Sequence, residues 1–368
     1  MKIVDVTTTV LLNPGIEPVR HSTSPRRQSV ISEVGRLFVH IKTDKGLEGL
    51  GVGQASPGVR EVILNSLRPQ LIDADPMDIG KLWGDMFWLS RQFGSSGVGA
   101  LAISAVDIGL WDLKAKALGV PLFKLIGAVA DSVPVYGSGG GTHLSNDELV
   151  AEMAGYIDRG ITRVKIKVGK DFGRSEKEDV ERVAAVRKAV GYDVALYVDA
   201  NSGYHPKQAI YLAKEFEQSQ VGWFEEPVLT EDVEGLARIV ESTTIPIATG
   251  EQEYSVHGFR RLLSADAVDI VQPDVFRVGG VSAWLKIAEL ARVFNRPIAP
   301  HIAPAVHLHL ACTIPNLKAL EYRDVDVEAD RGWYQDVPEL KEGMWSPFPD
   351  RPGLGLELDP YAVERWAV

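Results

Sequence analysis

Three acidic residues recur at equal intervals in this chain: Asp199 in YVDAN, Glu225 in WFEEP and Glu251 in ATGEQE, separated each time by 26 residues (225 − 199 and 251 − 225). Each follows a short β-branched or aromatic run and so reads as a strand end. One strand-and-helix unit per interval would set the three carboxylates at the C-terminal ends of neighbouring parallel strands, where barrel active sites are built. Carboxylates crowded at one mouth repel strongly in a low dielectric, and protons or a hard divalent cation must neutralise them. Magnesium, with oxygen ligands and retained water, suits the set, and manganese is the expected substitute. Acids at strand ends also favour the N-termini of the helices that follow. That explanation would suffice for any one of the three, but the constant interval favours a metal site. Glu226, beside Glu225, should project the other way and be structural.

A second constellation surrounds the first. Lys165 and Lys167 in RVKIK lie two apart on a strand and project from one face, into the barrel. Two buried ammonium groups should depress each other's pKa and leave one lysine basic near neutrality. Asp274 in VQPDVFRVGG and His301 in IAPHIAP end the next two strands, and an aspartate beside a histidine fixes the imidazole tautomer and raises its basicity. The pair therefore reads as a second general acid or base across the site from the lysines. His307 and His309 fall in the following helix and are expected to be structural. Glu321, in LEYRD, ends the last strand; a protonated acid there could donate a hydrogen bond to a substrate carboxylate that gains charge.

The elements that must hold these residues follow from periodicity. Runs at Val133–Tyr136, Arg163–Val168, Val194–Val198, Gly222–Phe224, Pro246–Ala248, Val268–Val271, Pro297–Ala299 and Lys318–Leu320 alternate with helical patterns. That alternation produces a parallel sheet with helical crossovers, and eight such strands suggest a closed barrel. Ser145 with Glu148 forms a capping box, and Pro206 suits a first helical position. Upstream, Lys2–Leu12, Val34–Thr43 and Glu48–Gln54 read as an antiparallel meander turning at Asp44, Lys45 and Gly46. Helical patterns follow at Val59–Arg68, Asp78–Trp88 and Gly99–Leu118. We therefore expect an α/β chain in three parts: an α+β capping domain over 1–125, a barrel over 126–325, and a tail over 326–368 that returns to the capping domain.

Composition narrows the partners. In 368 residues, 45% hydrophobic and 24% charged content fits an ordered globular protein. A formal charge of −11 argues against nucleic acid or an anionic membrane as a partner. The single cysteine, Cys312, excludes an intrachain disulfide framework and fits a reducing cytoplasm. The first ten residues lack the basic start and apolar core of a signal peptide, and no run approaches membrane-spanning length. The expected partner is a small hydroxy acid, within a cytoplasmic homo-oligomer. The loop after the first strand is unusually basic: Arg20, His21 and Arg26 would either clamp hydroxyls or a distal carboxylate, or form a solvated basic loop.

Taken together, DAN, WFEEP, TGEQE, KIK, the Asp274 and His301 pair and the terminal Glu321 resemble the enolase superfamily, and within it the mandelate racemase family. The resemblance spans nearly the whole chain. It implies an N-terminal capping domain and a modified TIM barrel, (β/α)₇β, with Asp199, Glu225 and Glu251 on magnesium. It further implies Lys167 as the base on one face, with Lys165 beside the substrate carboxylate. The Asp274–His301 dyad would act on the opposite face, Glu321 would help to stabilise the enediolate, and Asn201 would contact an α-hydroxyl. The shared step is removal of the proton alpha to a carboxylate. Dehydration of an acid sugar to a 2-keto-3-deoxy acid is the leading expectation; racemisation, epimerisation or lactone cycloisomerisation is the alternative.

Overall fold

The computed structural model describes residues 1–12, 35–92 and 94–368. The basic loop with Arg20, His21 and Arg26 lies outside the described residues.

The N-terminal meander forms an antiparallel sheet of β1 (Ile3–Leu11), β2 (Arg36–Thr43) and β3 (Glu48–Gln54) in that order. Its β2–β3 turn uses Gly46 at φ +74, a conformation open to glycine. Across this sheet lies the helix Val98–Ala117, buried along most of its length. The close approach depends on glycine in β3, since a Cβ at Gly51 would stand 2.1 Å from the Ala105 carbonyl oxygen. The helix expected over Val59–Arg68 runs instead from Pro57 to Leu71 with a π-helical stretch at Val62–Leu67. Pro69 explains the widened turn: it has no N–H to give, and its ring would collide with the carbonyl four residues back. The Arg68 N–H accordingly reaches back five residues, to the Ile63 carbonyl.

The barrel strands are β4 (Val133–Ser138), β5 (Arg163–Lys167), β6 (Ala195–Asp199), β7 (Val221–Glu225), β8 (Ile247–Thr249), β9 (Ile270–Val271) and β10 (Leu320–Tyr322). Neighbours from β4 to β9 pair in parallel, and β10 pairs in parallel with β4. The strand expected at Pro297–Ala299 is reduced to single parallel bridges from Ile298 to Val271 and to Leu317, which complete the circuit. The architecture is the expected α/β one, a closed parallel barrel with a small antiparallel sheet domain before it. Inside the barrel, Tyr136, Tyr197, Trp223, Ala248, Ile270, Ala299 and Ala319 form a separate packed cluster. Tyr197 and Trp223 stack with centroids 3.5 Å apart. The interior is thus a filled core rather than a pore, and the polar side chains are left to the mouth above it.

Past β10 the chain forms the helix Asp324–Trp333, then the short strands β11 (Leu340–Lys341) and β12 (Met344–Trp345), with β12 antiparallel to β4. The last helix, Pro360–Trp366, reaches β1, where the Leu12 N–H donates to the Trp366 carbonyl and the Val368 N–H to the Val10 carbonyl. Among the described residues no helix is long and apolar enough to cross a membrane.

Candidate active site

Strand register brings the chemistry together. Lys167 pairs with Asp199 across β5 and β6, and Asp199 pairs with Glu225 across β6 and β7, so the three side chains leave the barrel at one level. Glu251 follows β8 after Gly250, whose φ of +133 turns the chain at the strand end. Asp199, Glu225 and Glu251 are all buried, and an oxygen from each lies within 4.8 Å of the others. Asn201, at φ +42, donates its backbone N–H to Asp199 Oδ1 at 2.8 Å and its side-chain amide to Oδ2 at 3.3 Å, holding that carboxylate.

The cations interlock with these acids. Lys165, 1% exposed, forms ion pairs with Glu225, with Glu321 at 3.1 Å and with Asp199 at 3.7 Å; Lys167 pairs with Asp199. The expected mutual depression of the lysines is not what governs Lys165. Burial lowers its pKa, but Glu225, Glu321, Tyr136 and Asp199 together hold it well above the ordinary lysine value. Burial also raises the Asp199 carboxyl, yet Lys167, Lys165 and the Asn201 N–H outweigh it and bring it down to about 2. Glu225 goes the other way, up to about 8, because burial and the charges of Asp199 and Glu321 exceed the lysine attraction. Such a crowded mouth demands a cation or a proton, as the three carboxylates required of it.

At the far end of the acid row His301 Nδ1 lies 3.0 Å from Asp274 Oδ2, and its Nε2 lies 3.4 Å from Glu251 Oε2. Burial lowers the His301 pKa, but Glu251 and Asp274 reverse this and raise it. Asp274 itself is held low by Arg277 and His301 against the cost of burial. Glu321, the acid expected to donate from the last strand, lies 3.1 Å from Lys165. Burial raises its pKa, but Lys165, His301, Arg323 and the Ile302 N–H, 2.8 Å from Oε2, outweigh this and hold it low.

Glu226 does not follow simple strand alternation, because the strand ends at Glu225 and Glu226 takes φ +37. It accepts from the Thr230 hydroxyl at 3.3 Å, and burial with the charges of Glu251, Asp199 and Glu225 pushes its pKa well up. His307 receives the Val275 N–H on Nε2 at 3.2 Å, so its Nδ1–H donates to the Ile302 carbonyl and braces the loops either side of the dyad. His309 joins the Phe123 N–H to the Leu354 carbonyl. Three buttresses had not been read from the sequence. Gln272 and the Trp223 indole donate to Glu225 Oε2 at 2.7 and 3.2 Å, and Arg277 lies between Glu251 and Asp274. An arginine three residues after a strand-end aspartate was the one legible hint.

The donor set fits a magnesium ion. It consists of hard carboxylate oxygens from three adjacent strand ends, close enough for one small ion to meet them all with little movement. A barrel mouth with this acid row, flanked by two lysines and an Asp–His pair, defines a class of enzyme that ionises carbon acids. Residues 148–362 match the family described as enolase C-terminal domain-like, and residues 7–127 match the mandelate racemase / muconate lactonizing enzyme N-terminal domain. The chain belongs to the mandelate racemase / muconate lactonizing enzyme family of the enolase superfamily. It is 37% identical over 345 residues to the L-talarate/galactarate dehydratase of Salmonella typhimurium, covering 92% of this chain and 84% of that one. It is 33% identical over 336 residues to the 3,6-anhydro-alpha-L-galactonate cycloisomerase of Streptomyces coelicolor, covering 90% and 91%. A crystal structure of the Salmonella dehydratase with Mg and L-lyxarohydroxamate superposes with a TM-score of 0.90 at 35% identity, covering 100% of this chain and 93% of that one.

Proposed function

We propose that this enzyme dehydrates an acid sugar, an aldonate or aldarate, to a 2-keto-3-deoxy acid. One observation carries the proposal: Lys167 meets the acid row at Asp199 and His301 meets it at Glu251, so a basic group stands at each end of the same carboxylate cluster. Asp199, Glu225 and Glu251 would hold magnesium, which would supply Lewis-acid stabilisation of the charge that the substrate carboxylate gains. Lys167 takes the α-proton from one face. Lys165, fixed by Glu225 and Glu321, presents a buried positive charge to the same carboxylate. His301, its Nδ1 on Asp274, gives a proton from Nε2 to the departing β-hydroxyl, which leaves as water. The resulting enol then tautomerises to the keto acid. Ionised Glu321 anchors Lys165 and the chain at Ile302, next to His301.

Support for the substrate class comes from the dehydratase relative and its hydroxamate complex. A cycloisomerase relative supports the second reading, in which both bases serve isomerisation. Arg20, His21, Arg26 and Asn201 belong to the proposal as substrate contacts. So do division at about 125 and 325, assembly as a homo-oligomer and a cytoplasmic setting, the last supported by the lone buried thiol of Cys312. The test is a semicarbazide assay across a library of aldonates and aldarates with magnesium. At least one member should yield keto acid, the rate should vanish with chelator, and Lys167→Ala or His301→Asn should lower it about 10³-fold. A library giving no keto acid while some member epimerises or cyclises moves the assignment to the isomerases.

A further inference from the structure

We propose that Arg277 is a positioning residue that locks the Asp274–His301 dyad to the strand end bearing Glu251. The proposal rests on the two-base reading above. Arg277 is largely buried, with 13% of its side chain exposed, and lies between groups that are more buried still. Its Nε stands 3.3 Å from Asp274 Oδ2, the same oxygen that holds His301 Nδ1 at 3.0 Å. Its Nη1 donates to the Glu251 backbone carbonyl and lies 3.7 Å from Glu251 Oε1. Oδ1 of Asp274 is taken by the Phe276 N–H at 2.8 Å. Both Asp274 oxygens are therefore directed, and the carboxylate that orients the imidazole is fixed in place.

The guanidinium suits this task because its planar fork can serve a carbonyl and a carboxylate on two strands together, which an ammonium cannot. Its own backbone is held as well. The Arg277 and Val278 N–H groups close a turn on the Asp274 carbonyl at 2.9 and 3.0 Å. The next two N–H groups, of Gly279 and Gly280, donate to Ser104 Oγ in the capping helix at 2.9 and 3.0 Å. The turn that carries Arg277 is thus anchored at one end on Asp274 and at the other on the helix Val98–Ala117. A displacement of about 1 Å in a catalytic group costs on the order of a hundredfold in rate, so losing this tie should harm His301 far more than Lys167.

The test uses full-length Arg277→Ala and Arg277→Lys enzymes at saturating magnesium, following solvent deuterium exchange at the α-carbon of each enantiomer of a hydroxy acid. In Arg277→Ala the His301-face exchange should fall about a hundredfold and the Lys167-face exchange by at least about tenfold less, the shared loss reflecting the contact with Glu251. Added guanidinium ion should restore it saturably, which a folding defect would not allow, and Arg277→Lys should recover only part. The imidazole ¹⁵N and Nδ1–H resonances of His301, assigned among eight histidines by His301→Asn, give a readout independent of turnover. The Nδ1–H signal should shift or broaden in Arg277→Ala. Equal loss on both faces without guanidinium rescue, or an unchanged imidazole spectrum, overturns the proposal. If the wild-type enzyme exchanges neither enantiomer the two-base reading falls, while the spectrum still decides the role of Arg277.

Discussion

Buried carboxylates occupy two regions of this protein and do different work in each. In the helix Val98–Ala117, Asp107 and Asp112 are both 0% exposed at the seam between the capping domain and the rest of the chain. Asp107 accepts from the Ser282 N–H at 2.9 Å and its hydroxyl at 2.6 Å, at the start of the helix Gly280–Val293. Asp112 accepts from the Leu50 and Leu354 N–H groups at 2.8 and 2.7 Å and pairs with Lys116 at 2.7 Å. Each seam acid has its own donors, fixed by backbone. At the barrel mouth Asp199, Glu225 and Glu251 turn oxygens toward one another; Lys165 and Lys167 pair with the first two, and Arg277 and His301 lie beside the third. Burial of an acid therefore does not mark a site; the convergence of several buried acids on one point does.

Separating the two regions by mutation should give the largest effect at the mouth. Glu251→Gln keeps the shape but removes one ligand charge, and it should lower keto-acid formation at least about 10³-fold. Because the change also relieves repulsion, the melting temperature in chelator should stay the same or rise. In the wild type, magnesium at about a hundred times its Kd should add roughly 2.7 kcal/mol, and Glu251→Gln should lose most of that gain. A chelated Glu251→Gln that unfolds as easily as a seam mutant would erase the distinction. The seam gives the reverse pattern. Asp112→Ala strands two buried N–H groups and a partly buried lysine, and should cost about 3 kcal/mol by denaturant unfolding. Its turnover per folded molecule should be kept, and a large fall in kcat at full folding would show that the seam takes part in the chemistry.

The same contrast explains what was legible in the sequence. The mouth was readable because strand ends recur with the βα period, so that spacing alone aligned Asp199, Glu225 and Glu251, and alternation set Lys165 and Lys167 on one face. Protonation was not readable, because it depends on the summed field. The Glu321 pKa is held low only because Lys165, His301, Arg323 and the Ile302 N–H outweigh its burial. Asp107 and Asp112 look like ordinary polar positions of an amphipathic helix, and their donors lie more than sixty residues away in β3 and far later elements. Arg277 and Gln272 were missed for a related reason: Glu251 and Glu225 lie on other strands, and no local pattern reports a contact across the barrel. Trp223 stands two residues before Glu225 on β7, but the pattern does not tell that its indole N–H turns to that carboxylate. Pro69 hinted at a disturbed helix, but only the hydrogen bonds reveal a π turn.

The smallest effect is expected at Asp107, where the two regions come nearest in character. Burial pushes its carboxyl up to about 7, although the Ser282 hydroxyl and N–H, the Lys286 charge and the Val281 N–H all pull it down. The N-terminus of a fourteen-residue helix, Gly280–Val293, adds further stabilisation of the anion. A carboxyl whose folded pKa lies above its unfolded value of 3.8 binds its proton more tightly when folded. Its contribution to stability is therefore fully present below pH 3.8 and is lost as pH rises toward 7. Asp107→Asn removes the titration while keeping a neutral group of similar shape. The difference in unfolding free energy between wild type and Asp107→Asn should accordingly drift against the wild type across that window. Urea midpoints at several pH values between 4 and 8 measure the drift, with magnesium absent so that the mouth contributes equally to both proteins. A constant difference across the range would mean that Asp107 is ionised throughout, held entirely by Ser282 and the helix, and that the seam is as fully satisfied in charge as it is in hydrogen bonds.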